Sequence, residues 1–133
     1  MDIEDIIKET LEATICVKLK LGAGFLERVY QNALIHELKL RGLHAEKEVP
    51  ISVYYKGVIV GDYRADILVE NQLLIETKMA EALTKAHECQ LANYLQATGL
   101  DTGLLINFGT MRSDVRRKFR LPKSATANPD LCD

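Results

Sequence analysis

The order of apolar patterns along the chain predicts an α/β sandwich, a mixed central β-sheet flanked by helices. Three observations carry this. Two segments of helical period open the chain, and a series of short apolar stretches with period-two alternation and turn residues follows. A further helix-period segment then leads into a continuous apolar run that reads as a buried strand. Hairpin strands are antiparallel, whereas a strand reached through a helix lies parallel to an earlier one by a right-handed crossover, so the sheet is mixed.

The first helix is expected over residues 3–19, where Ile3, Ile6, Ile7, Leu11 and Val17 recur near helical spacing, and Gly22 and Gly24 end it. The second runs over 25–40 with Leu26, Val29, Tyr30, Ala33, Leu34 and Leu38 as its buried stripe and Arg41-Gly42 as its stop. Residues 47–55 alternate through Val49, Ile51, Val53 and Tyr55, and Pro50 argues for an edge position or a strand start. Lys56-Gly57 turns the chain, residues 58–63 return, and Gly61 marks a bulge or a close approach of another group to the backbone. Residues 65–78 then read as a hairpin with Glu70-Asn71-Gln72 as its loop, so that Val69 faces Leu73. Ile67 and Ile75 point to one face, Leu68 and Leu74 to the other, as in a central pair covered by helices on both sides. A third helix is expected over 84–98, with Leu83, Leu91 and Leu95 on its packing side and Gly99 as its stop. Residues 104–108 form the buried strand, and 115–121, alternating charged and apolar, an edge strand. The order is ααβββ(β)αββ. Residues 1–121 are expected as a single domain, and 122–133, polar in composition, as a flexible C-terminal tail.

The 133 residues carry 17 Lys and Arg against 19 Asp and Glu, a net charge of −2, which is not the basic balance of a dedicated nucleic-acid binder. The distribution says more. Arg112, Arg116, Arg117, Lys118, Arg120 and Lys123 cluster late, where they could neutralise phosphates. For such a run taken alone, a solvated strand face is the simpler reading. No apolar run approaches the ~20 residues that span a bilayer, and the acidic opening Met1-Asp2-Ile3-Glu4-Asp5 is the opposite of a secretory or organellar leader. A cytoplasmic location without a membrane partner is expected. Cys16, Cys89 and Cys132 have neither metal-ligand nor redox spacing and read as reduced thiols, so zinc held by cysteine is not expected.

Chemistry concentrates in the 65–78 hairpin. Its loop sets Asp66 opposite Glu76, and the pleat places Lys78 on the face of Glu76. Two carboxylates with Cβ atoms ~5 Å apart repel unless something positive sits between them. A divalent cation satisfies that need, and an oxygen-rich site prefers Mg²⁺ or Mn²⁺ to Zn²⁺. Lys78 beside it would orient a water or stabilise charge building on a phosphate, which together is the equipment of a metal-dependent phosphodiesterase. An exposed hairpin with one cross-strand salt bridge is the competing reading. Against it, these are the only charges apart from Glu70 in a stretch rich in Ile, Leu and Val, and buried charges are rarely kept unless paired or metal-bound. On the third helix, Gln90 and Tyr94 lie one turn apart, with His87 on the same side; on the second, Glu27 and Tyr30 share a face. Each of these alone reads as ordinary helix surface, and Glu27 as a charge favoured by a helix N-terminus.

Asp66, Glu76-Thr77-Lys78 and Gln90-x-x-x-Tyr94, in this order and behind a helix, resemble the PD-(D/E)XK nuclease superfamily, most closely its RecB-like branch with a Gln-x-x-x-Tyr helix. Gly24-x-x-Glu27-x-x-Tyr30 is similar to the signature of the GxxExxY protein family within it. The likeness runs over residues 3–121, and it departs from the pattern at Ala65, where a proline commonly precedes the aspartate. It implies a restriction-endonuclease-like three-layer sandwich, with Asp66, Glu76 and the Thr77 backbone carbonyl as metal ligands and Glu27 completing the site. Lys78 is implied as the catalytic lysine, with Gln90 and Tyr94 positioning it or a substrate phosphate. The function so implied is hydrolysis of DNA, or less favourably RNA, by metal-activated water with Mg²⁺ or Mn²⁺ as cofactor. Arg116, Arg117 and Lys118 are candidates for nucleic-acid binding. So small a nuclease core covers little of a duplex, so a homodimer is a candidate assembly, with the apolar first helix as one surface. Two rivals stand beside this: a catalytically silent nucleic-acid- or protein-binding module on the same fold, and hydrolysis of a small phosphate ester.

Overall fold

The computed structural model describes residues 1–121; the expected tail over 122–133 lies outside the described residues. Helix α1 (Ile3–Leu21) opens on Asp2, whose Oδ1 accepts the Asp5 N–H, and closes on Gly22 at φ 71°. Helix α2 (Glu27–Leu40) follows, then strands β1 (Ala45–Tyr55), β2 (Val58–Val69) and β3 (Leu73–Lys78), helix α3 (Lys85–Thr98), and strands β4 (Thr102–Asn107) and β5 (Val115–Phe119). The sheet order is β1-β2-β3-β4-β5, with β3 and β4 parallel and every other neighbour antiparallel. This is the mixed sheet of an α/β restriction-endonuclease-like sandwich. The parallel pair is joined through α3, and Pro50 does lie on an edge strand.

Helices pack on both faces. Against α1 and α2 lie Ile67, Val69, Leu73, Ile75, Leu104 and Ile106; against α3 lie Leu74, Leu105, Ile51 and Ala65. The hairpin register, Val69↔Leu73, Leu68↔Leu74 and Ile67↔Ile75, is the one its loop dictates.

Two expectations are corrected. Residues 58–69 form one continuous strand rather than a short return strand followed by a separate hairpin arm. Gly61 does not interrupt it: the pairing shifts from Val53↔Gly61 to Tyr54↔Ile59, and the bulge absorbs the extra residue. The α1–α2 turn also lies two residues later than the pattern implied, since α1 runs on to Leu21 and α2 begins at Glu27 with Leu26 as its N-cap. Gly24 takes φ 105° in this turn, where an L side chain would be strained. Tyr30 locks the turn, its hydroxyl donating to the Gly22 carbonyl at 2.6 Å and its ring stacking on Phe108 at 5.2 Å. The spacing from Gly24 through Glu27 to Tyr30 thereby fixes where α2 starts and places Glu27 on its first turn.

Candidate active site

The site forms where β2 and β3 part. Their last ladder pair is Ile67↔Ile75. Beyond it the Asp66 N–H donates to Glu76 Oε1 at 3.0 Å, and the Thr77 N–H donates to Asp66 Oδ2 at 2.8 Å. Each carboxylate takes an amide of the opposite strand, so both are drawn into one gap in the sheet. The sequence brought these two residues together as a facing pair; the structure adds that each caps the other's strand.

Glu27 reaches the gap from α2. Its Oε2 accepts from Gln31 Nε2 at 2.9 Å and contacts Thr77 Oγ1 at 3.1 Å, and Gln31 Nε2 donates to the same Oγ1 at 2.7 Å. Asp66 Oδ2 lies 3.2 Å from that hydroxyl. A hydroxyl has one proton, so Thr77 cannot donate to Glu27 and Asp66 at once. The cluster is short of donors.

It is short of positive charge too. Glu76 is only 3% exposed, and burial, then the neighbouring Asp66 charge, push its carboxyl up to about 8. Burial also raises Glu27, against the pull of its Thr77 hydrogen bond. Lys78 lies near enough to draw both carboxyls partly back, while its Nζ donates to Gln90 Oε1 at 2.8 Å. Gln90 Nε2 in turn donates to the Tyr94 hydroxyl at 3.2 Å. Tyr94 is buried, and burial, then the charge of Glu76, raise its phenol. A chain of contacts thus runs from the sheet gap through Lys78 and Gln90 to Tyr94 on α3.

The donors Asp66, Glu76 and the Thr77 carbonyl are all oxygen, the chemistry that suits a hard dication, and two crowded carboxylates would gain from one. Among the described residues no three His, Cys, Asp or Glu side chains stand close enough to hold an ion by themselves. Glu27 joins the pair through the Thr77 hydroxyl.

Some singled-out residues lie elsewhere. His87 is a helix cap: its Nδ1 accepts the Thr84 N–H while the Thr84 hydroxyl accepts the His87 N–H. The basic run divides between faces, because Arg116 and Lys118 pair with Leu105 and Gly103 whereas Arg117 pairs with Leu104. Arg117 holds Glu4 of α1 at 2.7 Å, Lys118 reaches Glu88 of α3 at 3.3 Å, and Arg116 is exposed. Lys123 lies outside the described residues. Two buried amides escaped the sequence. Gln31 was signalled only by its spacing one turn after Glu27. Asn107, fully buried, binds both Ala80 backbone groups, the Gly109 N–H and Asp114, and so ties down the loop that leaves Lys78.

A family model described as the PD-(D/E)XK nuclease superfamily matches residues 4–118. Among solved structures, the chain is similar to SSO0001 at a TM-score of 0.58 and 20% identity, over 95% of this chain and 81% of that one. It is also similar to an alkaline exonuclease from Laribacter hongkongensis at a TM-score of 0.45 and 15% identity, over 90% and 72%. The first likeness is one of fold, and the second is too distant to carry an argument. No curated protein sequence matches.

Proposed function

The chain belongs to the PD-(D/E)XK nuclease superfamily, and from that premise we propose that it is a metal-dependent nuclease hydrolysing phosphodiester bonds, of DNA before RNA, with a single domain over residues 1–121. One observation carries the reading: Asp66 and Glu76 share a gap in the sheet, each capping the other's strand, with Lys78 anchored beside them by Gln90. Asp66, Glu76 and the Thr77 carbonyl would hold Mg²⁺ or Mn²⁺, with Glu27 completing the shell. A bound dication supplies polarisation of a phosphoryl oxygen and a lowered pKa for water. Lys78 contributes a fixed positive charge to the phosphate as negative charge builds there, or orients the attacking water. Gln90 fixes the direction of the ammonium, and Tyr94 fixes Gln90.

Arg116, Arg117 and Lys118 are the proposed contacts to a nucleic-acid backbone; Arg116 is exposed, whereas Arg117 pairs with Glu4 and Lys118 with Glu88. The Gly24-x-x-Glu27-x-x-Tyr30 turn is the ground for an affinity with the GxxExxY group. A homodimer would bury Ile15 and Leu19, which α1 leaves exposed. No helix of the described residues is long and apolar enough to cross a membrane.

The test is calorimetric titration of Mg²⁺ and Mn²⁺ into wild type and Asp66→Ala, paired with cleavage of single- and double-stranded DNA and RNA. Wild type is expected to bind the ion and cut, Asp66→Ala to do neither, and Lys78→Ala to bind without cutting. Absence of ion binding at millimolar concentration would make the carboxylate pair structural and overturn the reading.

A further inference from the structure

A groove of about 840 Å³ adjoins the site between α3 and the far half of the β1–β2 hairpin. Its size lies within the ~300–1,000 Å³ of ordinary ligand pockets. It shares Gln90 and Tyr94 with the chain of contacts that begins at Lys78, so whatever occupies it lies next to the reacting centre. Its lining has no ionised side chain: the tyrosines Tyr54, Tyr63 and Tyr94 and the amides of Gln90 and Asn93 face small residues such as Ala97. Phosphates are bound by cations, so this wall does not suit a nucleic-acid backbone. Flat rings and neutral hydrogen-bonding groups suit a base.

Tyr63 is the built part of this wall. Its ring lies 5.6 Å from that of Tyr94, tilted by 42°, yet it remains 50% exposed. It also leans over Gly61, where a Cβ would come within 2.9 Å of Tyr63 Cε2. The missing side chain at Gly61 leaves room for the ring, and Tyr94 supports it from α3. A half-exposed aromatic, held by these neighbours and opening onto a neutral groove beside a phosphodiesterase centre, is a stacking platform.

We propose that this groove receives an unpaired base of a single-stranded nucleic acid, stacked on Tyr63, and so makes single strands, or the unpaired end of a duplex, the preferred substrate. The inference rests on the nuclease reading and deepens it. Bases within a duplex are already stacked and present no free face to Tyr63, whereas the bases of a single strand do.

The test is fluorescence anisotropy in EDTA, which separates binding from cleavage. The probes are labelled oligonucleotides of about a dozen residues: single-stranded DNA, the same sequence as RNA, a blunt duplex, and an abasic strand of equal length. Wild type is expected to bind either single strand more tightly than the duplex or the abasic strand. Tyr63→Ala and the shape-keeping Tyr63→Leu should weaken single-strand binding about ten-fold, while Tyr63→Phe binds as wild type. Neither loss should appear with the abasic strand. Equal binding of the abasic strand, or an unchanged affinity of both Tyr63→Ala and Tyr63→Leu for single strands, would overturn the proposal. The same oligonucleotides with Mg²⁺ test the underlying reading separately. Tyr63-dependent binding without cleavage retains the base site and removes the nuclease, whereas cleavage indifferent to Tyr63 does the reverse.

Discussion

Glu48 stands across the β1–β2 ladder from Asp66, between the pairs Lys47↔Ile67 and Val49↔Ala65, and both strands exchange their buried faces at that point. On the near side Ala45, Ile67 and Val69 pack against α1 and α2; on the far side Ile51 and Ala65, also odd-numbered, pack with α3. A strand of strict period two cannot do this. Glu48 at φ 54° supplies the break in β1. The turn of the hairpin at this point lets its far half close over α3, which forms the groove, and leaves Asp66 at the pivot where β2 departs from β3.

A left-handed conformation at a non-glycine residue costs roughly 1–2 kcal/mol. Glu48→Gly is therefore expected to raise stability by about 1 kcal/mol in urea denaturation, and Glu48→Val, whose branched side chain resists positive φ, to lower it by at least as much. A valine variant as stable as wild type would remove Glu48 as the pivot.

Lys78 and Gln90 are bonded at 2.8 Å, and the proposed function gives them unequal parts. If Lys78 matches charge on the phosphate as proposed, Lys78→Ala should cost about a thousand-fold in kcat, the scale of a lost electrostatic stabiliser. Gln90→Ala leaves the ammonium present but unanchored, and should cost roughly ten- to a hundred-fold in kcat with little change in metal affinity. Should Gln90→Ala equal Lys78→Ala, Gln90 would be acting on the substrate directly.

The parts of this site that the sequence made legible are those governed by local spacing. The three-residue loop at Glu70-Asn71-Gln72 sets the register, the register brings Asp66 to Glu76, and helical period puts Gln90 beside Tyr94. What could not be read depends on contacts distant in the chain or on single backbone angles. No pattern marks a glutamate for positive φ, so the exchange of faces at Glu48 was invisible; Gly61 was legible as a bulge, but the continuity of β2 past residue 63 was not. His87 falls on the Gln90 side of an idealised helix, but as the third residue after the Thr84 cap it is taken by the backbone. The run from Arg116 to Lys118 is contiguous in sequence, and for that very reason its members point to opposite faces. Asn107 has no periodic signal, and Gln31 has only its spacing one turn after Glu27.

Gln31 is 9% exposed and gives its amide protons to Glu27 and Thr77. Gln31→Leu keeps the approximate volume and removes both donors, leaving the half-buried Glu27 carboxylate with only the shared Thr77 proton. Stability should fall by about 1–3 kcal/mol, and affinity for Mn²⁺ by roughly ten- to a hundred-fold, as for other groups that orient ligands. Calorimetric titration of the variant reads this directly. Unchanged affinity would show that Glu27 does not depend on Gln31 for its place.

Glu76 makes the stability of the metal-free protein depend on pH. Burial and the Asp66 charge raise its carboxyl from the ordinary 4.5 to about 8 in the folded chain, with Lys78 opposing. A raised carboxyl means that the folded state holds the proton more tightly than the unfolded one. The resulting stabilisation is whole below 4.5 and fades as pH rises, until it is gone above about 8. The slope between these limits approaches about 1.4 kcal/mol per pH unit, with metal-free protein less stable at pH 8 than at pH 5. Glu76→Gln, neutral throughout, should flatten that slope and melt higher than wild type at pH 8 in EDTA, while losing metal binding. Melting curves of both proteins across this range, with and without Mg²⁺, decide the matter. If a divalent ion binds at Asp66 and Glu76, it competes with the proton, so Mg²⁺ should restore wild type at alkaline pH and leave Glu76→Gln unaffected. Parallel pH profiles for the two proteins would mean that Glu76 is not the group whose proton folding retains.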